Sequence, residues 1–214
     1  MAIAKDSDFK GLRGKLGGVV VYERLGTLCV RRRPDGFKPA GAGQLAQQRR
    51  MASANIFYKA AKHAGVAAYW KDAPKPAGCT GYNLFIRENI RAFSAEGLLE
   101  APEKVKLTVK TGLELPDGPV LEREAEGKAV VRWKNVTNYP GCAADDRLVV
   151  VLMRGGRHFD LRYLHAPTGI ARRGDERCEI VLPAPLAAYG LVYVFMLSAD
   201  GRQVSNSLYM GNIK

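Results

Sequence analysis

Leu191-Val192-Tyr193-Val194-Phe195-Met196-Leu197 is the stretch that decides the fold. Seven apolar residues in a row, rich in β-branched and aromatic types, suit a strand covered on both faces and are far too short to cross a membrane. Pro185 lies in the loop upstream. Asp200-Gly201 downstream marks a turn into a last strand near 204–210. Working back toward Lys104, apolar residues keep a period of two and turn residues recur. Strands are expected near 105–110, 129–134, 147–153, 157–163, 177–182 and 190–198, with Arg154-Gly155-Gly156-Arg157 as a hairpin connection. In Ala129-Val130-Val131-Arg132-Trp133, Val131 and Trp133 share a face. Seven short strands around an inward Trp predict a fibronectin-III-like antiparallel β-sandwich over 101–214.

The first hundred residues read differently. Val19-Val20-Val21-Tyr22 and Thr27-Leu28-Cys29-Val30 flank Gly26 and predict a β-hairpin, which leaves through Arg31-Arg32-Arg33 and stops at Pro34. Four glycines in residues 11–18 predict a bent backbone before it. A helix is expected over about Gln44 to His63, closed by Gly65, with Leu45, Ala52, Ile56 and Ala60 as its apolar face. Thr80 caps a second helix over about Gly81 to Ser94, whose stripe Tyr82, Phe85, Ile86, Ile90 and Phe93 reads as core. The fold class is therefore α+β: a basic β-hairpin plus two-helix N-terminal module over 1–100, then the sandwich. There is no internal repeat and no coiled-coil heptad.

Charge follows the same division. The protein carries a formal +12, and residues 1–75 hold 15 Lys+Arg against 5 Asp+Glu, leaving the remainder nearly neutral. A basic head on a near-neutral β body points to binding or assembly on something anionic rather than to catalysis. The residues proposed to bind a polyanion, with nucleic acid foremost, are Arg13, Lys15, Arg24, Arg31, Arg32, Arg33, Arg49, Arg50, Lys59 and Lys62. Tyr22, Phe37, Phe57, Tyr58, Tyr69 and Trp70 lie among them and suggest stacking on exposed bases. The alternative is a structural or assembly protein, such as a virion or surface-assembly component, whose Gly-rich arm docks on neighbouring subunits. A protein partner or homo-oligomer is expected under either reading, and no membrane.

No catalytic residues, metal ligands or cofactor are expected. His158 and Asp160 could face one way on a strand as a base and its orienter, but no nucleophile close in sequence completes the set. Asp145-Asp146 and Asp175-Glu176 are acidic corners. Gly11, Gly14 and Gly17 match neither a dinucleotide fingerprint nor a Walker A loop. Cys29, Cys79, Cys142 and Cys178 form no C-x-x-C pair, and the first residues carry no apolar leader, so a cytoplasmic protein with reduced thiols is expected.

Taken in order, Gly14-Lys15-Leu16-Gly17, Val30-Arg31-Arg32-Arg33-Pro34, Gln44-Leu45-Ala46-Gln47, Tyr82-Asn83-Leu84-Phe85 and the closing Asp200-Gly201-Arg202-Gln203-Val204-Ser205-Asn206-Ser207-Leu208-Tyr209-Met210-Gly211 resemble a family of uncharacterised bacterial proteins through most of the chain. The closing motif is the most specific piece. The chain departs from that pattern at Gln48, where the family helix tends to carry Arg. The resemblance implies the two-part layout and carries no activity with it.

Overall fold

The computed structural model describes residues 2–3, 13–24, 26–36, 39–135, 139–156, 158–164 and 167–213. The chain divides into two compact units, Met1–Gly41 and Ala42–Lys214. The first contains four strands, β1 (Ala2–Ile3), β2 (Gly14–Leu16), β3 (Val19–Arg24) and β4 (Thr27–Arg32), ordered β1-β4-β3-β2. The hairpin expected around Gly26 is present as β3 and β4, and Gly26 takes φ 76°, a conformation that favours glycine. Gly17, at φ 55°, turns β2 back into β3. The glycine-rich stretch thus supplies an edge strand and a turn, with residues 11–12 outside the described set.

The second unit opens with helix α1 (Ala42–His63), a 3-10 turn at Val66–Trp70, helix α2 (Gly81–Asn89) and a 3-10 turn at Ile90–Ala92. Thr80 caps α2 as expected, its side-chain oxygen accepting from the Asn83 backbone N–H at 3.1 Å. Eight strands follow: β5 (Asp117–Ala125), β6 (Lys128–Lys134), β7 (Arg147–Arg154), β8 (Asp160–Tyr163), β9 (Ala171–Arg172), β10 (Arg177–Val181), β11 (Leu191–Leu197) and β12 (Leu208–Asn212). They form two antiparallel sheets, β10-β6-β5 and β12-β11-β7-β8, with β9 added to β7.

β7 and β11 are buried on both faces, which accounts for their unbroken apolar sequences. Leu148, Val150, Leu152, Val192, Val194 and Met196 pack with Val131, Trp133 and Ile180 of the three-stranded sheet. The alternate residues Val149, Val151, Met153, Tyr193 and Phe195 pack with Phe57, Trp70 and Phe85 of the helical segment. The result is three layers: helices, five-stranded sheet, three-stranded sheet.

This packing corrects the expected boundary at 100/101. The helices share a core with the β11 sheet, so they cannot part from it, and the two units divide at residue 41. It also corrects the apolar face assigned to α1. Ala54, Phe57 and Ala61 are the buried residues, while Leu45, Ala52 and Ile56 are exposed and Ala60 is half-buried. Phe57 turns inward because it meets Phe85, Phe93 and Phe159 at ring-centroid distances of 5.3–6.1 Å.

Two expected strands also change. Residues 105–110 form no strand. Their backbone is held instead by the closing motif: Leu107 N–H donates to Ser207 Oγ at 2.8 Å, Lys110 N–H to Asn206 Oδ1 at 2.9 Å, and Thr111 N–H to the Val204 carbonyl at 2.9 Å. Serine and asparagine side chains here replace a ladder. The last strand accordingly begins at Leu208 rather than 204. Asp200-Gly201 forms a local turn in a longer connection, closed by Ser198 N–H to the Gln203 carbonyl at 2.9 Å. β5 carries little signal in the sequence, because an edge strand exposed along most of Asp117–Ala125 shows no apolar alternation.

Candidate functional site

The N-terminal sheet arranges its cations by strand geometry. Paired residues of antiparallel strands share a face, and successive residues alternate. Lys15 pairs with Val20, and Val20 with Arg31, so Lys15 and Arg31 project from one face. Arg24, four residues along β3 from Val20, joins them, and all three are exposed. Tyr22 lies on that face between Val20 and Arg24, half-buried. Spacings of about 4.8 Å between strands and about 3.3 Å per residue set the three cations within roughly 10 by 13 Å.

The arginine run is divided by the same rule. Arg32 pairs with Val19 and faces the other way, where its guanidinium meets Asp35 at 3.0 Å, both side chains 83% exposed. Arg33 follows the strand end, exposed, with its backbone N–H on the Gly18 carbonyl at 2.8 Å. Arg13 is exposed and ion-paired with Glu23. Three consecutive arginines therefore do not make one patch, and two of the ten expected residues already hold a carboxylate.

On α1 the expected cations also separate. Arg49, Lys59 and Lys62 are exposed, whereas Arg50 is half-buried and its Nε donates to the Phe93 carbonyl at 3.2 Å. Arg50 lines a shallow cleft of about 430 Å³ with Gln47, Arg91 and Glu100.

The aromatic residues proposed for base stacking are largely structural. Phe57 and Trp70 are buried, and the Trp70 indole N–H donates to the Leu107 carbonyl at 2.7 Å. Tyr58 packs on Tyr82 and Phe85. Tyr69 hydrogen-bonds Tyr163, and burial pushes its phenol above the ordinary value. Phe37 lies outside the described residues.

His158 precedes β8 rather than lying on it and is exposed, while Asp160 is engaged by the Tyr189 hydroxyl and by Arg162. Asp160 thus sits in a tyrosine–arginine arrangement. His165 and Arg157 lie outside the described residues. The acidic corners serve the fold. Asp146 is buried against Arg173, Asp175 accepts the Arg172 backbone N–H at 2.7 Å, and Glu176 accepts that of Asn135 at 2.7 Å. The glycines at the start of α1 lead into a helix whose first turn carries no acidic residue.

Two residues central to this framework carry little signal in the sequence. Arg173 is fully buried, and Asn89, also fully buried, joins α2 to the segment at Lys106. Both are ordinary polar residues until the surrounding chain closes over them. Among the described residues no helix is long and apolar enough to cross a membrane. Compared with protein-family models, with curated proteins and with solved structures, the chain matches none.

Proposed function

We propose that this is a non-enzymatic binding protein whose basic N-terminal sheet engages a polyanion, nucleic acid first. The observation that carries the reading is the alignment of three exposed cations, Lys15, Arg24 and Arg31, on one face across three strands. Phosphates are neutralised by such cations without regard to base sequence. Arg33 extends the set beyond the strand end. The strand orders β10-β6-β5 and β12-β11-β7-β8 support reading the two-sheet part as a fibronectin-III-like sandwich, suited to presenting loops to protein partners. A cytoplasmic location belongs to the same proposal.

Three phosphate contacts set the salt dependence. At about −0.9 per contact, the slope of log K against log salt is near −2.7, a loss of about 40-fold between 50 and 200 mM. Fluorescence anisotropy of labelled duplex DNA tests this. The triple variant Lys15→Ala/Arg24→Ala/Arg31→Ala is expected to weaken binding to every sequence and flatten the slope. Unchanged affinity in that variant refutes the proposed face.

Assembly is a second reading with its own observation. β2 lies at the edge of its sheet and is exposed at all three residues, offering backbone groups to a strand of a neighbouring subunit. Defined oligomers in solution without nucleic acid would support it, and a monomer at high concentration would remove it.

A further inference from the structure

The outward face of α1 combines two properties that nucleic acid does not use together. Leu45, Arg49, Ala52, Ile56 and Lys59 follow one another at steps of four and three residues, which places them along one side of a helix. All five are exposed, Leu45 at 42% and Ile56 at 40%. The stripe is about 21 Å long. Lys62 borders it, and α1 holds no Asp or Glu anywhere along its length. The aromatic residues of α1 point inward, so this apolar stripe is separate from the core.

We infer that this face docks an acidic amphipathic helix of a protein partner. Such a helix offers apolar side chains at matching steps to cover Leu45, Ala52 and Ile56, and carboxylates to meet Arg49, Lys59 and Lys62. The small Ala52 at the middle lets the two backbones approach. A phosphate backbone offers nothing to bury Ile56. A second α1 brings the same cations against these ones. A lipid surface favours a helix with aromatic residues on its outer face, and Phe57 and Tyr58 face the core instead. The inference stands apart from the polyanion reading, since it concerns another element and needs no nucleic acid.

The test uses full-length protein and a fluorescent Glu-rich peptide of about 20 residues, with Leu and Ile at helical spacing. Two controls accompany it: the same peptide with Gln in place of Leu and Ile, and vesicles of phosphatidylserine and phosphatidylcholine. Saturable binding of the amphipathic peptide is expected. It should fall at least about tenfold in Leu45→Ser/Ile56→Ser and, independently, in Arg49→Glu/Lys59→Glu. Because the altered residues are exposed, both variants should keep the parent circular dichroism, and either alone suffices to decide. The Leu45→Ser/Ile56→Ser variant, which changes no charge, should leave duplex DNA binding by the N-terminal sheet within about twofold. The inference is overturned if the Gln peptide binds equally well, if vesicles bind while the peptide does not, or if either variant leaves peptide binding unchanged.

Discussion

Removing the Asp146 carboxylate should be among the costliest single changes to the larger unit. Arg173 is 0% exposed, and its Nε meets Asp146 Oδ2 at 3.3 Å. The same carboxylate accepts the Ala143 backbone N–H at 2.9 Å, and the guanidinium donates to the Glu114 carbonyl. The Arg173 carbonyl in turn accepts the Trp133 indole N–H at 2.7 Å, so the pair fixes the tryptophan between the sheets. Asp146→Ala leaves a buried cation with one carbonyl as partner, a situation that costs about 3–5 kcal/mol. For a unit of this size each kcal/mol lowers Tm by about 2–4 °C, so a fall of about 6–20 °C is expected. Asp146→Leu/Arg173→Met removes both charges and should recover much of that loss, because no buried charge is then unpaired. Thermal unfolding followed by circular dichroism at neutral pH reads both. A single variant melting within about 1 °C of the parent, or a double variant worse than Asp146→Ala, refutes the reasoning.

Two further outcomes follow from buried groups. Asn89 accepts the Lys106 N–H at 2.8 Å and donates to the Phe85 and Lys106 carbonyls at 3.0 Å. Asn89→Ala should therefore cost about 1–3 kcal/mol in denaturant unfolding, with a faster exchange of the Lys106 amide. Burial pushes the Cys178 thiol up to about 12, and Cys29 is also buried. With a thiol reagent at pH 8, half-buried Cys79 and Cys142 should react first, and Cys178 only after denaturation.

Much of this architecture is legible in local pattern. The covered strand at 191–197, the Thr80 cap, the turn at Gly26 and the inward Trp133 all follow from apolar spacing and turn chemistry, which act over a few residues. The expected cationic site was less legible. A run such as Arg31-Arg32-Arg33 looks like one patch in sequence, but a strand sends neighbours to opposite faces. Arg13 and Arg32 also find carboxylates ten and three residues away. The buried face of α1 is hard to read for a related reason. Two stripes compete on that helix, and Phe57 outweighs Leu45 and Ile56 only once Phe85 and Phe159 are brought against it.

The sequence by itself determined the α+β class, the concentration of charge near the N-terminus, the first hairpin and the strands that are buried on both faces. These depend on periodicity, on glycine and on composition, all of which are local. Only the tertiary structure decided that the helices belong with the sheets rather than with the basic hairpin. It alone held residues 105–110 by the side chains of Asn206 and Ser207, and it alone left Leu45 and Ile56 on the surface. Each of these outcomes depends on long-range contacts, and a side chain is core or surface only with respect to what the rest of the chain brings against it.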